Sequence, residues 1–224
     1  MTSDLRHRFR AVIFDLDGTL IDSAPDIADA INMVMAEFGR QALTERTVRD
    51  MVGNGWAGLL ERAMTLTGGM PEGAASVVEE RFRQLYLPRS TRLSSLYPGV
   101  AETIDALRRD GTAIGVCTNK RQAGADQVIS TFGLGRAIGA VVGGDTGVMK
   151  PDPAHLAKVL DLLGVGAADA VMVGDSDADV AAARGAGMPC VVVSYGYAGG
   201  PPASLGADRM IDCMRDLIPS LAGL

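Results

Sequence analysis

The first apolar run of the chain, Val12-Ile13-Phe14, is short and ends on acids, in Asp15-Leu16-Asp17-Gly18. A run of this kind, bounded by polar residues and glycine, predicts a buried strand. The pattern then changes to a helical period. Ser23-Ala24-Pro25-Asp26 reads as a helix start, with a serine cap, an early proline and an acid three residues on. Ile27, Ile31, Val34, Met35 and Phe38 follow at helical spacing, and Gly39 supplies a stop. Helical patterning continues over residues 48–52, 59–66 and 74–87, and no strand is expected between Ile21 and Leu93.

At Tyr97-Pro98-Gly99-Val100 the texture changes again. Helices are predicted over 101–109, 122–132, 153–163 and 177–185, alternating with strands over 113–117, 140–142, 170–173 and 190–194. Residues 196–202, rich in Gly and Pro, read as a loop. Short apolar runs alternating with helices imply a parallel sheet covered on both faces. The first strand must join that sheet. The expected class is therefore α/β, a Rossmann-like open parallel sheet with helices on both faces, with an all-helical unit inserted after the first strand. The division expected is 1–20 and 94–224 for the core and 21–93 for the insert.

Composition narrows the classes of function. The chain has 224 residues, 47% hydrophobic and 21% charged, with a formal charge of −6. That balance is globular. It has no Lys/Arg-rich run to track a phosphate backbone, so a nucleic acid polymer is not an expected partner. No apolar stretch approaches the ~20 residues of a membrane span, and residues 1–10 carry no apolar signal core. Cys117, Cys190 and Cys213 are odd in number and widely spaced, which argues against a disulfide framework or structural zinc. A cytoplasmic protein, monomer or homodimer, is expected.

Four predicted strands end in polar groups, and in open α/β sheets ligands bind outside those carboxyl ends. The first ends in Asp15 and Asp17, whose i, i+2 spacing places both carboxylates on one face. The second ends in Thr118-Asn119-Lys120. The third leads to Lys150-Pro151, and the fourth ends in Asp175, with Asp177 and Asp179 following. The set offers carboxylates, a hydroxyl, an amide and an ammonium. Asp15, Asp17 and Asp175 suit Mg²⁺, a hard cation that takes carboxylate, water and phosphate oxygens. Phosphoryl transfer to a carboxylate is the matching chemistry. Taken singly, each motif has a plainer account: a turn, a helix cap or a surface lysine. Their order, each at a strand end, is what argues for chemistry. Gly53-Asn54-Gly55-Trp56-Ala57-Gly58 fits G-x-G-x-x-G, but helix-like residues precede it, so a dinucleotide is not expected. His7 and His155 stand alone, and surface or capping roles are expected for both.

Asp15-Leu16-Asp17-Gly18-Thr19, Thr118-Asn119, Lys150-Pro151-Asp152-Pro153 and Gly174-Asp175-Ser176-x-x-Asp179 resemble, in order, the four motifs of the haloacid-dehalogenase-like hydrolase superfamily. The resemblance spans essentially the whole chain. It implies that Asp15 is the nucleophile and forms an aspartyl-phosphate, and that Asp17 is general acid and then base. It implies that Thr118 and Asn119 bind the phosphoryl group and that Lys150 offsets charge. Asp175 would ligate Mg²⁺ with Asp15 and the backbone carbonyl of Asp17, supported by Asp179. Asp17 also sets the chain apart from the dehalogenases and phosphonatase-like members, which lack this second acid.

The helical insert corresponds to the small α-helical cap of that family. Val48-Arg49-Asp50-Met51-Val52-Gly53-Asn54-Gly55 and the tail Ser194-Tyr195-Gly196-Tyr197 resemble bacterial phosphoglycolate phosphatases. The expected substrate is 2-phosphoglycolate. A sugar phosphate, pyrophosphate or a β-phosphoglucomutase-like transfer is the alternative. Backbone amides over Gly53, Asn54 and Gly55, or the side chains of Arg49 and Arg62, could receive the glycolate carboxylate, although a solvated helix face is the simpler account of both arginines.

Overall fold

The computed structural model describes residues 8–53, 55–197 and 201–224. Strand β1 (Ala11–Phe14) is buried at every position, because parallel strands flank it on both sides. After it the chain makes a two-residue strand β2 (Ile21–Asp22) and helices α1 (Ala24–Glu37), α2 (Glu45–Arg49), α3 (Gly55–Leu66) and α4 (Ala75–Tyr86). A second two-residue strand, β3 (Ser95–Leu96), leads back. Then come α5 (Val100–Arg109), β4 (Ala113–Cys117), α6 (Gln122–Thr131), β5 (Ala140–Val142), α7 (Pro153–Leu163), β6 (Ala170–Gly174), α8 (Asp177–Gly185), β7 (Cys190–Val193), β8 (Arg209–Ile211) and α9 (Leu217–Leu221).

The main sheet has the order β5-β4-β1-β6-β7-β8, with every pairing parallel. Alternate strand residues face two separate layers. Val12, Phe14, Val116 and Val173 pack with Ile104, Leu107, Val128 and Leu217 on one side. Ile13, Met172 and Val192 pack with Leu156, Val159 and Ala183 on the other. The strands are short and aliphatic because both faces are dry. α1 to α4 close a core of their own around Ile31, Met35, Leu60, Phe82 and Tyr86. Trp56 meets Phe82 and Tyr86 edge-on there, with ring centroids 5.3 and 5.6 Å apart.

The sequence pattern missed the ribbon of β2 and β3, the edge strand β8 and the C-terminal helix α9. Ile21 and Asp22 pair antiparallel with Leu96 and Ser95, so the helical unit is joined to the sheet by a small ribbon where no strand was expected. Two residues are too few to show a period. The edge strand β8 was also absent from the expectation; only one of its three residues is buried. In the helical unit, α2 lies three residues earlier than the expected 48–52, and 51–53 form a turn. Ser23 occupies the cap position of α1 without capping it. Instead the Tyr197 hydroxyl accepts from the Ser23 and Ala24 N–H groups, at 2.7 and 3.0 Å. Asp26 also faces inward, where its carboxylate accepts from the Leu93 and Ser94 N–H groups. Of the stretch expected as a loop, 196–202, residues 198–200 lie outside the described residues, and a 3-10 turn, Pro202–Ser204, begins at its last residue. Among the described residues, no helix is long and apolar enough to cross a membrane.

Candidate active site

The chain leaves β1 toward β4 and β5 on one side of the sheet, and returns to β6 and β7 on the other. The strand order therefore reverses at β1, which opens a crevice at its carboxyl end. Asp15 is the first residue of that crevice. Its N–H still continues the ladder to Val173 O at 2.9 Å, which fixes the backbone beneath the carboxylate.

Lys150 places its Nζ 2.8 Å from Asp15 Oδ1 and 2.6 Å from Asp179 Oδ1. Its side chain is 2% exposed, and Asp179 is fully buried. Asp179 is itself fixed by a capping box at the start of α8: Oδ2 accepts from the Asp175 and Ser176 N–H groups and the Ser176 hydroxyl. The ammonium thus lies between two immobilised carboxylates. Burial pulls Lys150 down, but Asp15 and Asp179 outweigh it, so the amine stays charged above the ordinary lysine range.

Asn119 secures this lysine through its backbone. Its Oδ1 accepts from Lys150 N–H at 2.9 Å, and its Nδ2 donates to Lys150 O at 3.0 Å. The same Nδ2 also lies 2.8 Å from Gly53 O in the helical unit. The amide is therefore committed to Lys150 and Gly53. His155 is buried rather than on the surface. Its Nδ1 accepts from Lys150 N–H at 3.2 Å, and Nε2 lies 3.3 Å from Gly143 O. His7 and Asn54 lie outside the described residues.

Asp15, Asp175 and Asp179 can each offer a carboxylate oxygen within 4.8 Å of the other two. Burial, opposed by Lys150, pushes Asp15 up to about 6. Burial, reinforced by Asp15 and Asp179, pushes Asp175 well above the carboxylate range. A cation would relieve that repulsion, and an all-oxygen donor set fits a hard divalent ion. Asp179 is already saturated by donors, so Asp15 and Asp175 are the better direct ligands. The cradle is tight. A Cβ at Gly18, where φ is +87°, would collide with the Asp175 carboxylate. The Tyr197 N–H donates to Asp175 Oδ2 at 2.6 Å, and the Thr19 hydroxyl donates to Oδ1 at 3.2 Å.

The Asp17 side chain is not in this acidic group. It faces Lys120, whose Nζ is 3.0 and 3.1 Å from its two oxygens, and it accepts from the Ser23 hydroxyl at 2.5 Å. Lys120 donates onward to the Tyr86 hydroxyl of α4 at 2.6 Å. Asp15 and Asp17 therefore open into one cleft, each held by its own lysine. The cleft is roofed by Ile27, Val52, Trp56 and Leu59 and floored by Thr118 and Asn119. Gly53 and Gly55 line it as well, whereas Arg49 and Arg62 do not. Arg49 is bound to Asp22 and Glu45 at 2.6 and 2.9 Å, and Arg62 faces a separate groove of the helical unit.

The sequence profile of the family described as Haloacid dehalogenase-like hydrolase matches residues 12–193. The chain belongs to the haloacid dehalogenase-like hydrolases. It is 46% identical over 214 residues to a phosphoglycolate phosphatase of Rhodospirillum rubrum, covering 93% of this chain and 89% of that one. It is 43% identical over 209 residues to a plasmid-borne phosphoglycolate phosphatase of Cupriavidus necator, covering 92% and 90%. Its fold matches that of a protein of Haemophilus somnus described as a predicted phosphoglycolate phosphatase, with a TM-score of 0.91, 30% identity and coverage of 95% and 98%.

Within this haloacid dehalogenase-like hydrolase, Lys120 is the site residue that sequence reasoning handled least well. Lys120 and Lys150 both reach the site, each against its own aspartate. One signal was available: Lys120 follows Thr118 by two residues, the same spacing that groups Asp15 with Asp17. Tyr86 offered none, because its partner is distant in sequence; Tyr197 stood out in the tail motif, but its bonds to Ser23, Asp22 and Asp175 could not be read there.

Proposed function

We propose that this hydrolase converts 2-phosphoglycolate to glycolate and phosphate. The observation that carries the proposal is the division of the two aspartates. Asp15 faces Lys150 and the acidic group, while Asp17 faces Lys120 in the same cleft. The names of the relatives support the substrate.

In this reading Asp15 Oδ attacks phosphorus, the bond to the ester oxygen breaks, and an aspartyl-phosphate forms. Asp17 delivers a proton to the departing glycolate oxygen. It then takes a proton from water as that water attacks phosphorus, which releases phosphate and restores Asp15. Lys150 offsets charge on Asp15 and the transferred group. Thr118 lies in the cleft floor, within the space a phosphoryl group would occupy. Asp15 and Asp175 would hold a magnesium ion, with Asp179 behind them; the ion would neutralise phosphate charge. The helical unit, 21–93, acts as a cap. Ile27, Val52, Trp56 and Leu59 roof the cleft, so the cap would move aside to admit a substrate.

Phosphate release from a panel of small monoesters, read as kcat/KM, tests the proposal. 2-Phosphoglycolate is expected to lead. A sugar phosphate or pyrophosphate in first place overturns the substrate.

A further inference from the structure

Lys120 is the only cation among the described residues lining the cleft. The neighbouring arginines are engaged elsewhere: Arg49 by Asp22 and Glu45, Arg121 by Glu79 at 3.1 Å and Asp145 at 3.4 Å. The two lysines of the site differ in one respect. Lys150 lies between two carboxylates, whereas Lys120 faces one carboxylate, Asp17, and one neutral hydroxyl, Tyr86. An ammonium has three donors, and here they face the two Asp17 oxygens and the Tyr86 hydroxyl, so a further acceptor would take over one of the two bonds that Asp17 now receives. The Lys120 side chain is 1% exposed, and away from water an added charge interacts strongly.

We propose that Lys120 selects phosphomonoesters that carry a carboxylate on the carbon next to the ester oxygen. This rests on the proposed phosphatase reaction. The ester oxygen must approach Asp17 to receive its proton. Lys120 Nζ is 3.0 Å from Asp17. A carboxylate one carbon beyond that oxygen comes within reach of the same ammonium, which then has a second anion, as Lys150 already has. An uncharged group in that place gives Lys120 nothing comparable. Lys120 would therefore choose the leaving group, while Lys150 serves the phosphoryl end common to all substrates.

The test compares 2-phosphoglycolate with 2-hydroxyethyl phosphate, which replaces the carboxylate by a neutral CH₂OH. The readout is the ratio of their kcat/KM values in wild type, Lys120→Met and Tyr86→Phe. Damage routed through Asp17 or the cap affects both substrates and divides out. Wild type is expected to favour 2-phosphoglycolate, and Lys120→Met to reduce the ratio by about tenfold or more, the scale of a hydrogen bond to a charged group. An unchanged ratio in Lys120→Met overturns the proposal and leaves the phosphatase reaction standing. Should that variant not fold, Tyr86→Phe decides. It keeps the ammonium and removes a competing acceptor, so the ratio holds or rises; a fall overturns the proposal. A wild type that releases phosphate equally well from both esters overturns Lys120 selection together with the substrate assignment. A wild type active on other phosphates but not on 2-phosphoglycolate overturns the underlying reading itself.

Discussion

The Lys120 ammonium donates to the Tyr86 hydroxyl at 2.6 Å, joining the loop after β4 to the last residue of α4. The ring centroid of Tyr86 is 4.9 Å from the same nitrogen. Burial raises the Tyr86 phenol to about 12 despite the adjacent Lys120, so the hydroxyl is neutral and takes the lysine proton as an acceptor. Residues Asn119, Lys120 and Arg121 each reach the helical unit, at Gly53, Tyr86 and Glu79 respectively. The loop carrying Thr118 thus carries the contacts that hold the helical unit down.

Tyr86→Phe should therefore loosen closure without emptying the core, because the ring and its stacking on Phe82 remain. Loss of one hydrogen bond to a charged group predicts a decrease of about 1–3 kcal/mol. Denaturant melts of wild type and variant check this. An unchanged midpoint would mean that the bond adds nothing to the closed state.

Asp15→Asn is expected to reduce turnover by at least about 10³-fold, the scale of removing an attacking group. The amide is nearly isosteric, and Lys150 keeps Asp179 at 2.6 Å. Circular dichroism and the melting temperature should accordingly stay near wild type. Substantial activity in the purified variant would show that Asp15 is not the nucleophile.

The sheet was legible because its inner strands are uninterrupted apolar runs ending in polar residues, as in Val171-Met172-Val173-Gly174 before Asp175. The polar residues that follow those strands could be placed at one edge of the sheet from spacing and order alone. The direction in which each one points could not. Asp17 turns toward Lys120 and Ser23, and that choice depends on a lysine 103 residues away. Asn119 could not be read as a clamp on Lys150, because the bonds join loops 31 residues apart. The β2–β3 ribbon rests on two residues in each strand, too short for any period to register.

A divalent ion at Asp15 and Asp175 predicts a stability effect independent of turnover. Magnesium in hundredfold excess over its Kd should raise the melting temperature by on the order of 5 °C. Asp175→Asn should abolish that rise. It should also melt above wild type in EDTA, since burial and two nearby carboxylates oppose the Asp175 charge. A magnesium shift of equal size in the variant would remove Asp175 from the site. The same titrations in an activity assay should show phosphate release lost in EDTA and restored by magnesium.

His155 makes the fold sensitive to acid from within the Lys150 loop. The ring is fully buried, and its Nδ1 accepts from Lys150 N–H. That acceptor role requires the neutral form, with the proton on Nε2 facing Gly143 O. Burial, with help from the Lys150 and Lys158 ammonium groups, lowers its pKa from 6.5 to about 4. Between those values the unfolded chain binds a proton that the folded chain does not, so stability rises with pH there. The contribution is fully present above about pH 6.5 and is lost as pH falls toward 4, with a full size on the order of 3 kcal/mol. His155→Gln, which has no charge to acquire, should flatten the fall of the unfolding free energy between pH 6.5 and 4.5 while lowering its value at pH 7.5. Parallel pH profiles for wild type and variant would mean that the histidine is protonated in the fold and that the Lys150 N–H bond is held by Asn119 alone.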